Sequence, residues 1–177
     1  MTLSRSRWDE AVSHHSAAVH QFLATASAVA PSAWPAPVAP GKWSPGQITA
    51  HVTLAYDAMG QELRGTPGMR IRTTWWQRLI FRAVVLPALL RNGTIPGGAK
   101  APRETRPHDV VTDQAAAIEQ LRQAAAAFEE DIGKAHAGGG ARLTHPYFGR
   151  LDTLQAIRLV AVHTEHHTRQ LPRSAVD

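Results

Sequence analysis

His163, His166 and His167 fall within one stretch near the C-terminal end, Ala161-Val-His-Thr-Glu-His-His-Thr-Arg-Gln170. His163 and His167 are four residues apart, so on an α-helix they sit one turn apart on the same face. Two imidazoles placed that way can bind one metal ion. A chain with ten histidines produces some pairs by chance. What gives this pair weight is the face that carries it. Ala156, Leu159 and Val160 form an apolar stripe, and steps of three and four continue it to His163, His167 and Gln170. A third histidine has a similar setting. Ile48, Val52, Ala55, Met59 and Leu63 recur at helical spacing, and His51 lies between Ile48 and Ala55 on that stripe. A buried imidazole must satisfy both ring nitrogens. One divalent ion held by His51, His163 and His167 would satisfy all three inward rings. Three protein ligands with an open position is the arrangement of catalytic rather than structural zinc. The alternative is three unrelated polar residues at the edge of a helical core.

The elements that must position these residues are helical. Segment 6–29 reads as a first helix, with Ser6 at its cap and His14, His15 and His20 as surface or boundary residues. Segment 30–43 is too rich in proline to be helical. Ser44, Pro45 and Gln47 form a capping box that starts a second helix. A third runs from about Thr112 to Ala137 and ends at three consecutive glycines. A second box, Asp152 with Gln155, opens a fourth that runs to about Leu171, before Pro172. No strand pattern stands out. Four long helices predict an all-α four-helix bundle, formed by one domain over 1–177 with an insert at about 64–110. The short loop between the last two helices makes them antiparallel neighbours. The long connection between the second and third allows those two to be parallel.

Charge is uneven. Residues 64–106 hold Arg64, Arg70, Arg72, Arg78, Arg82, Arg91, Lys100, Arg103 and Arg106 against a single acid, Glu104. That segment carries +8 and the rest of the chain sums to −3, against a net charge of +5, so overall basicity is no argument for nucleic-acid binding. Breakers crowd it, among them Pro67, Gly93, Pro96, Gly97 and Gly98. Between them, Trp75–Leu90 is apolar but too short for a membrane span, which needs roughly 20 apolar residues. Arg78 and Arg82 lie inside it and Pro87 interrupts it. It reads as an amphipathic helix packed on the bundle, with Trp75 and Trp76 as its anchor, or alternatively as a membrane-surface or dimer-interface helix. The chain has no cysteine, so it has neither disulfides nor thiolate ligands. Its N-terminus lacks the apolar core of a signal peptide, which makes a cytoplasmic location the default.

Three stretches resemble the DinB-like metal-binding four-helix bundles. They are Lys42-Trp-Ser-Pro-Gly-Gln-Ile-Thr-Ala-His51, His145-Pro-Tyr-Phe-Gly-Arg-Leu-Asp152 and His163-Thr-Glu-His-His-Thr-Arg-Gln-Leu171. Their order and spacing also match, over most of the chain. The basic insert is the least matched part. The resemblance implies a bundle with a long crossover between helices two and three, and puts His51, His163 and His167 on the family's three metal-ligand positions. It also implies a homodimer and, in part of the family, transfer chemistry with a low-molecular-weight thiol. All-imidazole sites suit several divalent ions. Zinc or nickel comes first, with iron or manganese as further candidates.

Around the trio, Gln47 and Gln170 lie one turn from ligands and can bond them or a ligand on the metal, although Gln47 also fits a capping role. His166 lies about 60° off the ligand line on a helix, suited either to substrate contact or to solvent. His145, in a loop, can line the pocket. Two functions follow. One is a metal-dependent enzyme, a thiol-using transferase or a hydrolase, acting on a small-molecule substrate with no nucleic acid involved. The other is a non-catalytic metal-binding stress-response protein whose basic insert recruits an anionic partner or a membrane surface.

Overall fold

In the computed structural model, residues 2–95 and 101–172 are described. Pro96, Gly97, Gly98 and Lys100 of the insert lie outside them. Four long helices carry the architecture: α1 (Thr2–Ser27), α2 (Pro45–Leu63), α5 (Gln114–Ala137) and α6 (Thr153–Thr168). Between α2 and α5 the chain forms α3 (Trp75–Ile80), a π-helical stretch (Phe81–Val85), α4 (Leu86–Asn92) and a 3₁₀ turn (Arg103–Thr105). This is the expected bundle with its long crossover.

The directions of the helices follow from their end contacts. Gly46 at the start of α2 lies against the Val111 carbonyl just before α5, so closely that a Cβ there would meet it at 2.5 Å. At the other end, Arg64 pairs with Asp131. So α2 and α5 run parallel. Gln114 at the start of α5 donates to the Ala26 and Val29 carbonyls at the end of α1, while Trp8 near the start of α1 stacks on His136 near the end of α5. α1 is therefore antiparallel to α5. His136 also bonds Thr153, which makes α5 and α6 antiparallel, as their short connection predicts. The most extensive packing is nevertheless α1 on α6 and α2 on α5. Phe22, Val52, Leu121, Phe128, Ile132 and Ile157 are sealed between these helices. Truncating a core residue such as Phe128 to Ala is worth about 3–5 kcal/mol.

Several local expectations are corrected. Between α5 and α6 lies a hairpin, β1 (Arg142–His145) antiparallel to β2 (Gly149–Asp152), with Leu143 opposite Leu151. Four-residue strands are too short for alternation to register in a sequence. The hairpin is held from outside. Glu62 on α2 accepts from the Thr144 amide and hydroxyl, both at 2.6 Å, and Arg82 donates to the Phe148 and Arg150 carbonyls. Ser6 is not a cap, because α1 already runs past it; its hydroxyl bonds Glu10. Pro87 does not interrupt its helix. It lacks an N–H, and its ring would crowd the carbonyl four residues back. The wider π turn, in which the Leu86 amide donates to Phe81, accommodates it. Among the described residues no helix is long and apolar enough to cross a membrane.

Candidate metal centre

Both capping boxes expected in the sequence are formed, and they fix where α2 and α6 begin. Ser44 and Gln47 exchange backbone and side-chain bonds at the start of α2, and Asp152 and Gln155 do so at the start of α6. Gln47 is thus engaged in the cap by its carbonyl oxygen. One turn further along α2 is His51, and late in α6 are His163 and His167. The antiparallel crossing of these two helices brings the three rings together.

His51 Nε2 and His163 Nε2 lie 3.2 Å apart, as do His163 Nε2 and His167 Nε2. One ligand atom from each ring falls within 4.8 Å of the others. Tetrahedral coordination with metal–nitrogen bonds of 2.0–2.1 Å separates ligand nitrogens by about 3.3 Å. The far sides of two rings are already committed. His51 Nδ1–H donates to the Thr105 carbonyl at 2.6 Å, and His167 Nδ1–H donates to Gln170 Oε1 at 2.9 Å. Each bond fixes the tautomer that turns the Nε2 lone pair inward. Protein hydrogen bonds alone cannot satisfy these two lone pairs, because a single proton on His163 Nε2 can be given to only one of them. His163 Nδ1 is itself buried without a partner among the described residues. A cation at the centre would engage all three lone pairs, so the donor set fits a divalent ion.

Burial also prepares the rings. It lowers the His51 pKa, with the Thr105 carbonyl opposing. It lowers His163 well below the usual value, reinforced by repulsion from His167 and His51. It pushes His167 down to about 3. Imidazoles held neutral are the form that binds metal.

Residues 14–171 match the family model of the DinB superfamily. The chain belongs to the DinB superfamily. The solved structure described as "Crystal structure of TT2238, a four-helix bundle protein" superposes on this DinB-superfamily chain with a TM-score of 0.57. The two share 23% identity over 92% of this chain and 95% of that one, a likeness that concerns the fold. No curated protein matches the chain.

The remaining expected site residues divide. Gln170 reaches two rings at once, His167 through its carbonyl and His166 Nε2 through its amide at 2.9 Å. His166 packs edge-on against His167, their centroids 5.1 Å apart. His145 sits in the hairpin, its Nδ1 facing the Tyr147 and Phe148 amides at 3.3 and 3.4 Å. It lies near enough to His163 for the two to interact electrostatically. Glu165 turns away from the trio and pairs with His14 at 2.7 Å. Thr105 escaped sequence reasoning, since its contribution is a backbone carbonyl, which no residue type announces. Trp43, packed 4.9 Å from His51, had a signal in the motif leading to that histidine.

His15 was expected at the surface or its boundary and is instead 1% exposed. Its ring bonds Glu129 at 2.7 Å and the Tyr56 hydroxyl at 3.0 Å. The Tyr56 hydroxyl in turn lies 2.9 Å from Thr164 Oγ1, next in sequence to His163. α1 packs on both α5 and α6, so its single-face pattern could not show which histidine turns inward.

Proposed function

We propose that this chain is a metal-dependent enzyme, built as one domain, in which His51, His163 and His167 hold a single divalent ion with one position open to substrate. The observation that carries the reading is the convergence of three Nε2 atoms on rings kept neutral by desolvation, two of them in buried residues and fixed in tautomer from behind. Zinc or nickel is the ion assigned here, both being suited to imidazole ligands. When bound, such an ion supplies a Lewis acid that lowers the pKa of a thiol or water reaching the open position.

The reaction class favoured is transfer using a low-molecular-weight thiol, with hydrolysis as the neighbouring variant. This chain has no cysteine, so the sulfur must come from a cosubstrate. In the transfer, a carbon–sulfur bond forms at an electrophilic carbon, the leaving group departs with its electron pair, and the thiol proton goes to solvent. The protein's part is to hold the rings. The Thr105 carbonyl orients His51, and Gln170 orients His167 while engaging His166.

The test begins with elemental analysis of protein purified without a metal-affinity tag. It continues with a cobalt-substituted sample titrated with azide or a small thiol. A saturable spectral change is expected, because three imidazoles leave a tetrahedral shell incomplete. A spectrum indifferent to both ligands, with unfolding on chelation, would identify a closed structural site and end the enzyme reading.

A further inference from the structure

The crossover helix has an outward face of the wrong chemistry for solvent. Trp75, Trp76, Leu79, Ile80 and Val84 each leave at least 51% of their surface exposed. They are five of the eight large apolar side chains exposed among the described residues. Trp75 and Trp76 therefore do not anchor the helix to the bundle as the sequence suggested. Leu86 and Leu89 do that, buried on the opposite side. Trp76, Ile80 and Val84 are spaced by four, and the exposed Pro87 and Arg91 extend the same stripe. The helix from Trp75 to Asn92 is roughly 27 Å long at α-helical rise. Its solvent side is thus an apolar ridge with a cation at its far end.

The surroundings of the ridge are basic. Arg64 and Arg72 have carboxylate partners, Asp131 and Glu104. Among the described residues, no carboxylate pairs with Arg78, Arg82 or Arg91, all on the helix itself. Where α4 meets α1 and α6 there is a cleft of about 450 Å³, lined by Arg7, Arg82, Arg91 and Arg158 over Leu86 and Leu90. Its one carboxylate, Asp152, is already bonded to the Gln155 amide in the α6 cap. Four guanidiniums around one carboxylate leave the cleft net positive. Arg82 and Arg158 also donate to backbone carbonyls, while Arg7 and Arg91 have no carboxylate partner among the described residues. The excess charge favours an anion there.

We infer that the face from Trp75 to Arg91 docks on an anionic lipid bilayer, the apolar ridge entering the interfacial layer and the arginine cleft taking an acidic headgroup. Exposed tryptophans beside arginines and aliphatic side chains are the composition of helices that lie in a membrane interface. A second copy of the chain fits this face poorly. A two-fold interface sets a patch against itself, which would bring two uncompensated arginine clusters together. Nucleic acid fits poorly too, because Leu79, Ile80 and Val84 offer no hydrogen bonds and no ring to stack on a base.

The experiment is co-sedimentation of the full chain with vesicles of phosphatidylglycerol and phosphatidylcholine, against vesicles of phosphatidylcholine alone. Sedimentation with the anionic vesicles only is expected, weakening as salt rises. Ile80→Glu should reduce binding by about tenfold or more, since it places a charge on the ridge. Arg91→Glu should reduce it by more than about fivefold, given roughly 1 kcal/mol per surface arginine. Both side chains are exposed, so circular dichroism and metal content should match the parent protein and separate this test from that of the metal site. No sedimentation, or equal sedimentation with neutral vesicles, overturns the inference. So does a dimer in light scattering that Ile80→Glu converts to monomer, which assigns the ridge to a second copy. Tighter binding to DNA than to vesicles, lost in Arg91→Glu, overturns it as well.

Discussion

Two polar clusters are buried side by side in this bundle, and they differ in how their hydrogen bonds close. In one, His15 Nδ1–H donates to the Glu129 carboxylate and its Nε2 accepts from the Tyr56 hydroxyl, whose oxygen lies beside Thr164. Glu129 also accepts from Ser16. Burial raises the Tyr56 pKa and lowers that of His15, which keeps both groups neutral. Each polar atom of that chain meets a protein partner. In the other cluster, His51 and His167 are each bonded on their outer sides, and their inner nitrogens converge on one His163 nitrogen that can donate to only one of them. The first cluster is complete as it stands and ties α1, α2, α5 and α6 together. The second leaves ring nitrogens that its protein neighbours cannot all satisfy, and it is there that the proposed ion would sit. Histidine content alone does not separate a structural core from a binding site; the direction in which the lone pairs are left does.

The largest effect expected is on metal occupancy. His163→Ala should bring the metal content of untagged protein to background, and His51→Ala and His167→Ala should do the same. His14→Ala, at the surface, should leave it unchanged. Full stoichiometric metal in all three ligand variants would erase the distinction between the clusters.

The complementary change is His15→Leu. It strands the Tyr56 hydroxyl and removes a partner of Glu129, so it should destabilise the fold by about 2 kcal/mol. Metal stoichiometry should stay intact. Chemical denaturation with parallel metal analysis reads both. Loss of metal with unchanged stability would reverse the roles assigned to the two clusters.

A finer test is Gln170→Leu, which removes the acceptor of His167 Nδ1–H. Removing such an outer hydrogen-bond partner costs roughly tenfold or more in metal affinity. Competition with a chromophoric chelator measures it, and an unchanged affinity would show that Gln170 does not orient His167.

The smallest effect is on pH dependence near neutrality in chelator-treated protein. Burial lowers the His15 pKa from the ordinary 6.5 and pushes His145 down to about 3. Below 6.5 the unfolded chain therefore binds more protons than the folded one. Stability should fall as pH falls, gently from pH 7 to 6 and more steeply toward pH 4. A Tm independent of pH across that range would contradict the burial of these rings.

Much of this arrangement was legible in the sequence because it depends on local rules. The capping boxes at Ser44 and Asp152 mark helix starts through hydrogen bonds three residues apart. Helical periodicity places His51, His163 and His167 on apolar stripes. Their residue types announce the chemistry, and their motifs carry the likeness to the DinB superfamily. The hairpin was not legible, since Leu143 and Leu151 gain their meaning only by pairing with each other. Nor was the inward turn of His15, which depends on α1 being packed on two sides.

The sequence by itself determined the four long helices, the starts of α2 and α6 and the three imidazoles, because backbone hydrogen bonding and side-chain periodicity act over a few residues. Only the tertiary structure decided that α2 crosses α6 where His51 meets His163 and His167, that the Thr105 carbonyl closes on His51 from a turn 54 residues away, and that Trp75 and Trp76 face outward. Those outcomes rest on contacts between distant segments, where the shape and burial of one element set the hydrogen-bond partners of another.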